Sequence, residues 1–225
     1  MRRLLWLVPL LFAGCFLVNS NEVKITYDVM PPQEFAQDFG NTGGNVPTVP
    51  CNGNAALCAA VPAPAGTMAE CDATSRDCAL SADLTPYQTV NLSQQSSFPS
   101  QVANSSVISD VTINNVFYWT QSNTLSFATP PIDIYVAPSS VTSTSDPSAT
   151  LLGTMPSMPA GQLTAKTTLP LTDAGKSALG TLAKNYKTPF NVLAHIHVTV
   201  TAGQPVPSGK IDMFLEPEIA FGIPL

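Results

Sequence analysis

The stretch FNVLAHIHVTVT, residues 190–201, decides the fold class of this chain. Its apolar residues recur at every second position, which is the period of a β-strand with one buried face. The pattern predicts an inward face and an outward face, the inward one made by Phe190, Val192, Ala194, Ile196, Val198 and Val200, and the outward one by Asn191, Leu193, His195, His197, Thr199 and Thr201.

A second alternating stretch follows at residues 210–223, after a turn rich in glycine and proline at 202–209. Its predicted buried residues are Ile211, Met213, Leu215, Ile219, Phe221 and Ile223. If the two stretches form a hairpin, keeping both apolar faces inward places Val200 opposite Ile211 and His195 opposite Glu216.

Shorter strand patterns, separated by turns rich in Pro, Ser and Asn, precede this pair. We therefore predict a mainly β fold, an immunoglobulin-like antiparallel β-sandwich forming a single domain over residues 22–225. The additional predicted strands are residues 23–29, 89–92, 107–119, 124–127, 132–136, 151–154 and 163–169.

One helix is predicted at about residues 172–186. Thr172 can cap its N-terminus, Asp173 suits the positive end of its dipole, and Lys184 suits the negative end. An apolar face repeats at helical spacing, made by Leu179, Leu182 and Tyr186. Two glycines weaken the helix, so packing must hold it in place.

The order of elements over residues 107–201 resembles the sandwich of the LEA14/WHy group of water-stress and hypersensitive-response proteins. The elements are a strand entering the turn Asn123-Thr124-Leu125, a strand at 132–136, the unit Leu-Leu-Gly-Thr at 151–154, Met-Pro-Ala-Gly-Gln at 158–162, and then a strand, a helix and a long strand. The resemblance implies an immunoglobulin-like fold and a loosely defined protective role, with no catalytic residue.

The N-terminus resembles the signal of a bacterial lipoprotein. Arg2 and Arg3 precede an apolar run, which ends in the string Leu11-Phe12-Ala13-Gly14-Cys15. The resemblance to a lipobox implies a signal peptide at 1–14, a lipid such as palmitate on Cys15 and a tether at 15–21. Phe16 occupies the position at which Asp tends to retain lipoproteins in the inner membrane. The absence of Asp there favours anchoring in the outer membrane. An ordinary secretory signal is the alternative.

Four cysteines remain besides Cys15, at positions 51, 58, 71 and 78. An even number in an exported chain predicts disulfides that staple a loop-rich insert at about residues 30–81. Two small loops, Cys51–Cys58 and Cys71–Cys78, are favoured because short loops close easily. A nested pairing, Cys51–Cys78 with Cys58–Cys71, is nearly as plausible, and the sequence alone does not choose among the three possible connectivities. Zinc binding is disfavoured, since zinc pairs sit closer in sequence.

The charge of the chain excludes some partners. The formal net charge is −6, and cleavage before Cys15 would lower it to −8 by removing Arg2 and Arg3. This acidity argues against nucleic-acid binding and against electrostatic docking on anionic lipid. We expect a membrane contact through the lipid anchor alone.

Residues suited to chemistry are few. His195 and His197 share a strand face, and with Glu216 they form a candidate metal site. No Gly-x-Ser-x-Gly elbow, phosphate-binding glycine loop or paired acid–base set is present, so we predict no catalytic residues and no cofactor. The run Phe117-Tyr118-Trp119 fits core packing or an exposed aromatic patch.

The sequence therefore predicts a non-catalytic, lipid-anchored protein of the cell envelope with a structural, adhesive or partner-binding role. A protein partner in the envelope is expected. Two alternatives stay open. A carrier of a lipid or apolar ligand would have a dry cavity between the sheets. A metal-dependent enzyme would use His195, His197 and Glu216.

Overall fold

A computed structural model describes residues 22–27, 32–40, 44–63, 67–95, 102 and 108–224, with the backbone alone for 22–27 and 223–224. The predicted signal peptide, Cys15 and the tether lie outside these residues. The described strands are β1 (Glu22–Tyr27), β2 (Gln33–Asp38), β3 (Met68–Cys71), β4 (Cys78–Leu84), β5 (Tyr87–Val90), β6 (Asp110–Asn123), β7 (Ile132–Pro138), β8 (Thr150–Met155), β9 (Thr167–Thr168), β10 (Phe190–Val200) and β11 (Lys210–Pro224).

The strands form two antiparallel sheets, which confirms the predicted β-sandwich. The five-stranded sheet has β11 and β6 at its centre, with β9 beyond β6 and with β1 and β2 end to end along β11. The six-stranded sheet runs β3-β4-β10-β7-β8, and β5 pairs with the first part of β10. Side chains from both sheets share one core, including Phe35, Phe190 and Phe221.

The predicted hairpin of β10 and β11 is wrong. β10 pairs with β4, β5 and β7 in the six-stranded sheet, whereas β11 pairs with β1, β2 and β6 in the other. The chain at 201–209 therefore crosses between sheets, and Val200 does not face Ile211. Both strands keep their apolar faces in the shared core, so the alternating pattern fits either arrangement equally well.

Two details of the strand prediction also change. Residues 124–127 are not a strand, because the Asn123 side chain accepts a hydrogen bond from the Leu125 N–H and donates to the carbonyls of Pro159 and Gln162. This local turn ends β6. In the segment predicted as a strand at 163–169, only Thr167 and Thr168 form the strand β9, while Thr164 and Leu169 add single backbone hydrogen bonds to β6.

The insert at about 30–81 is less loop-rich than predicted. It contributes β2 to one sheet and β3 and most of β4 to the other. A 3₁₀ helix in this insert spans Ala55–Ala60, and a second 3₁₀ helix, beyond the insert, spans Leu92–Gln94. Small and polar side chains in β3 and β4 hide the alternation that marks longer strands.

The predicted helix is confirmed as α1 (Asp173–Lys184). The Thr172 hydroxyl accepts a hydrogen bond from the Gly175 N–H at 2.9 Å. Leu179, Ala183 and the following Tyr186 are buried, and the helix packs against β6, β7 and β8. No helix in the described part of the chain has the length and apolar character that crossing a membrane requires.

Candidate functional site

The two histidines lie on the outer face of the six-stranded sheet, near a carboxylate of a neighbouring strand. His197 is the register partner of Asp83 on β4, and its Nδ1 atom is 2.8 Å from Asp83 Oδ1. His195 Nε2 is 3.3 Å from the same oxygen. We call these three residues the histidine cluster. Asp83 was not predicted as a site residue, because its strand β4 contains too few large apolar residues to be recognised as a strand from the sequence.

Glu216 is not part of this cluster, so the predicted set of His195, His197 and Glu216 is wrong. Glu216 lies on β11 in the other sheet, where its carboxylate forms a salt bridge of 2.8 Å with Lys166 Nζ. The error follows from the hairpin register, which placed His195 opposite Glu216. In the structure, Asp133 on β7 is the register partner of His195.

The hydrogen bonds orient the groups of the cluster. Thr199 Oγ1 is 3.1 Å from His197 Nε2, so both ring nitrogens of His197 have a polar neighbour. The Thr154 hydroxyl donates to Asp133 Oδ1 at 2.6 Å. The hydrogen bond from His197, reinforced by one from His195, holds the pKa of Asp83 below its ordinary value. Asp83 therefore stays a carboxylate throughout the neutral range.

A second group of side chains lies on the outer face of the five-stranded sheet. Trp119 of β6 stacks on Phe214 of β11, with ring centroids 5.5 Å apart and planes 11° from parallel. Phe117 lies on the same face, and all three rings are half-buried. We call Phe117, Trp119, Phe214, Lys166 and Glu216 the aromatic face. The patch hypothesis for residues 117–119 thus applies to Phe117 and Trp119, whereas Tyr118 is buried in the core.

Lys166 adds charge to the aromatic face. Its Nζ atom is 4.9 Å from the centroid of the Phe117 ring and 5.3 Å from that of Trp119, while it bonds to Glu216. Such contacts are worth about 0.5–1 kcal/mol at exposed sites. The strand β9, which follows Lys166 in the chain, pairs with β6 and so brings the lysine over the rings. Neither the lysine nor Phe214 was predicted, because their approach depends on strand pairing.

The disulfides correct both favoured pairings. The bonds are Cys51–Cys71 and Cys58–Cys78, each closing a separation of 20 residues. Cys71 and Cys78 are register partners in the hairpin of β3 and β4, and each reaches across to the segment 51–58. The two disulfides therefore attach the segment 51–58 to the sheet. The argument from loop length, which favoured short loops, did not take this attachment into account. The sulfur atoms of Cys51, Cys58 and Cys78 lie within 4.8 Å of one another.

A cleft of about 420 Å³ opens at one end of the sandwich, beside the last residues of β10 and the two links 124–131 and 201–209. Its lining mixes Phe127, Val198 and two prolines with serine, threonine and glutamine side chains. This cleft opens to solvent, unlike the dry interior cavity that the carrier hypothesis requires. The carrier hypothesis stays a prediction.

Comparison with known proteins adds little. No family model matches the chain, and no curated protein matches it. Solved structures of infectious bursal disease virus, Gx and Gt strains, align over 90% of this chain at 10% identity, with TM-scores of 0.25 and 0.23. The alignments span 33% and 32% of those viral chains. These scores are too low to indicate a common fold or function.

Proposed function

We propose that this chain is a non-catalytic lipoprotein of the cell envelope, anchored through Cys15, that binds a protein partner with its aromatic face. The aromatic face carries the proposal. Two of its rings stack across the central strands β6 and β11, so they are held rigidly at little cost in conformational entropy. Aromatic residues, tryptophan among them, are enriched at protein interfaces relative to the rest of the surface.

The envelope location rests on the sequence and is supported by the cystines. The lipobox-like string ends at Cys15, and the other four cysteines pair with one another in two disulfides. Disulfides persist in oxidising compartments outside the cytoplasm. Attachment by an acyl chain also fits an acidic protein, which anionic lipid headgroups would not attract.

Intact-mass analysis of the membrane-extracted protein tests the anchor. We expect a mass that corresponds to cleavage before Cys15, added acyl chains and a gain of four hydrogens on reduction, two for each disulfide. An unacylated mass with free thiols would contradict the anchor and the envelope location together.

In-cell cross-linking tests the binding surface. We expect the wild-type protein to form one discrete cross-linked species with its partner, which the purified components form again in vitro. Trp119→Ser should abolish this species. Tyr87→Ser is the matched control, because Tyr87 is an aromatic residue 46% exposed on the other sheet. Equal loss of the species in both variants, or in neither, would exclude the aromatic face as the binding surface.

A further inference from the structure

The histidine cluster belongs to a row of polar groups that crosses three strands on one face of the six-stranded sheet. Asp83 on β4 pairs in register with His197 on β10, and His195 on β10 pairs with Asp133 on β7. Two imidazoles thus lie between two carboxylates. Leu193, also on the outer side of β10, is fully buried by a separate small cluster with Ala137 and Val141, so it does not interrupt the row.

These donors suit a borderline transition metal. Imidazole nitrogen and carboxylate oxygen are ligands of Zn²⁺, whereas Mg²⁺ and Ca²⁺ prefer oxygen alone. Ligands around a tetrahedral Zn²⁺ at about 2.0–2.2 Å are separated by roughly 3.3 Å. The Asp83 Oδ1 atom lies 3.3 Å from His195 Nε2, which matches that separation, and 2.8 Å from His197 Nδ1, which is a shorter, hydrogen-bonded distance.

We propose that His195, His197 and Asp83 bind one Zn²⁺ ion, with water completing the coordination shell. This site is independent of the aromatic face, which lies on the other sheet. Thr199 Oγ1, 3.1 Å from His197 Nε2, would accept that N–H and leave Nδ1 free to bind the metal. Such outer contacts orient metal-bound imidazoles.

One adjustment is needed. The three donor atoms are not all within 4.8 Å of one another, so the long distance is the one between the two imidazoles, and a ring must turn to close it. The His195 and His197 side chains are 29% and 53% exposed, which leaves room for that rotation. On binding, Zn²⁺ takes the place that a shared proton holds between imidazole and carboxylate.

Isothermal titration of the purified full-length chain with ZnCl₂ tests the site. We expect one ion per chain, and an affinity weakened about tenfold or more in His195→Gln, His197→Gln and Asp83→Asn. Glu70→Gln is the matched control. It removes an exposed carboxylate on the adjacent strand β3, level with Ala79, four residues or about 13 Å along β4 from Asp83. Its affinity for Zn²⁺ should be unchanged.

Because the replaced side chains are half-buried or exposed on the surface of the sheet, far-UV circular dichroism should show each variant folded. Absence of binding by the unmodified protein, or equal binding by the His195→Gln/His197→Gln double variant, would overturn the proposal.

Discussion

His197 lies directly opposite Asp83 on the neighbouring strand, and its Nδ1 atom is 2.8 Å from the carboxylate oxygen Oδ1. This hydrogen bond is the main reason why the pKa of Asp83 is lowered, with a smaller contribution from His195. A carboxyl group whose pKa is lower in the folded state than in the unfolded state stabilises the fold at any pH above its unfolded-state pKa. This stabilisation is lost as the pH falls through the folded-state pKa. Since Asp83 is 55% exposed, the contribution is small.

We predict that His197→Gln raises the pKa of Asp83 toward the ordinary value of an aspartate. Carboxyl-carbon NMR during an acid titration would measure the change. Asp72 is the control, because its pKa is lowered by the Thr74 N–H and the Ser75 hydroxyl instead. The explanation would fail if Asp83 did not move, or if Asp72 moved by the same amount.

The two glycines of α1 should respond oppositely to alanine. A Cβ atom on Gly175 would lie 2.4 Å from Leu152 Cα and 2.6 Å from the Leu151 carbonyl oxygen, so Gly175→Ala should destabilise the fold by about 1–3 kcal/mol. On Gly180 the nearest atom is 3.6 Å away, so Gly180→Ala should stabilise it by about 0.5–1 kcal/mol through helix propensity. Urea unfolding of both variants measures the difference. The packing explanation requires the two substitutions to change the free energy of unfolding in opposite directions.

Asn191 is a polar residue whose side chain should contribute strongly to the stability of the fold. It is 0% exposed, accepts a hydrogen bond from the Thr89 hydroxyl and donates to the carbonyls of Ser139 and Val141. Asn191→Ala leaves buried groups unpaired, which costs about 1–3 kcal/mol for each such group. Asn114→Ala, on the exposed side of β6, should change the free energy of unfolding by less than about 0.5 kcal/mol. Similar losses in both variants would contradict this role.

Each disulfide closes a separation of 20 residues, so the loop-entropy model predicts a loss of about 3 kcal/mol when either bond is removed. The double variant Cys58→Ala/Cys78→Ala should lose more than Cys51→Ala/Cys71→Ala. Cys58 and Cys78 are both 0% exposed, whereas Cys71 is half-buried, so the first pair also leaves a cavity. Chemical unfolding of the two variants makes the comparison. Non-reducing peptide mapping would contradict the connectivity if it found Cys51 joined to Cys58.

Periodicity predicted the elements that are stabilised by local pattern. The alternation in residues 190–201 and 210–223 indicated β10 and β11 and most of their buried residues, because the side-chain period of a strand is the same whichever strand lies beside it. Thr172 and the spacing of Leu179 and Leu182 likewise indicated α1, since capping and amphipathicity act within a few residues.

The candidate sites were only half predictable. His195 and His197 were identified by their spacing of two residues, but Asp83 lies more than 100 positions away in the chain. Similarly, the run at 117–119 indicated an aromatic pair on one face, whereas Lys166 and Phe214 join it only through the pairing of β9 and β11 with β6. A single sequence carries no direct signal for such long-range partners.

The sequence by itself determined the β class, the position of the helix, the inward faces of the long strands and the four cysteines besides Cys15 that are available for disulfides. Only the tertiary structure decided that β10 and β11 belong to different sheets, that Cys51 pairs with Cys71, and that His195 and His197 lie beside Asp83 instead of Glu216. The physical reason is that local patterns fix which side of a strand is buried, while strand neighbours and disulfide partners are selected by how all the strands pack around one core.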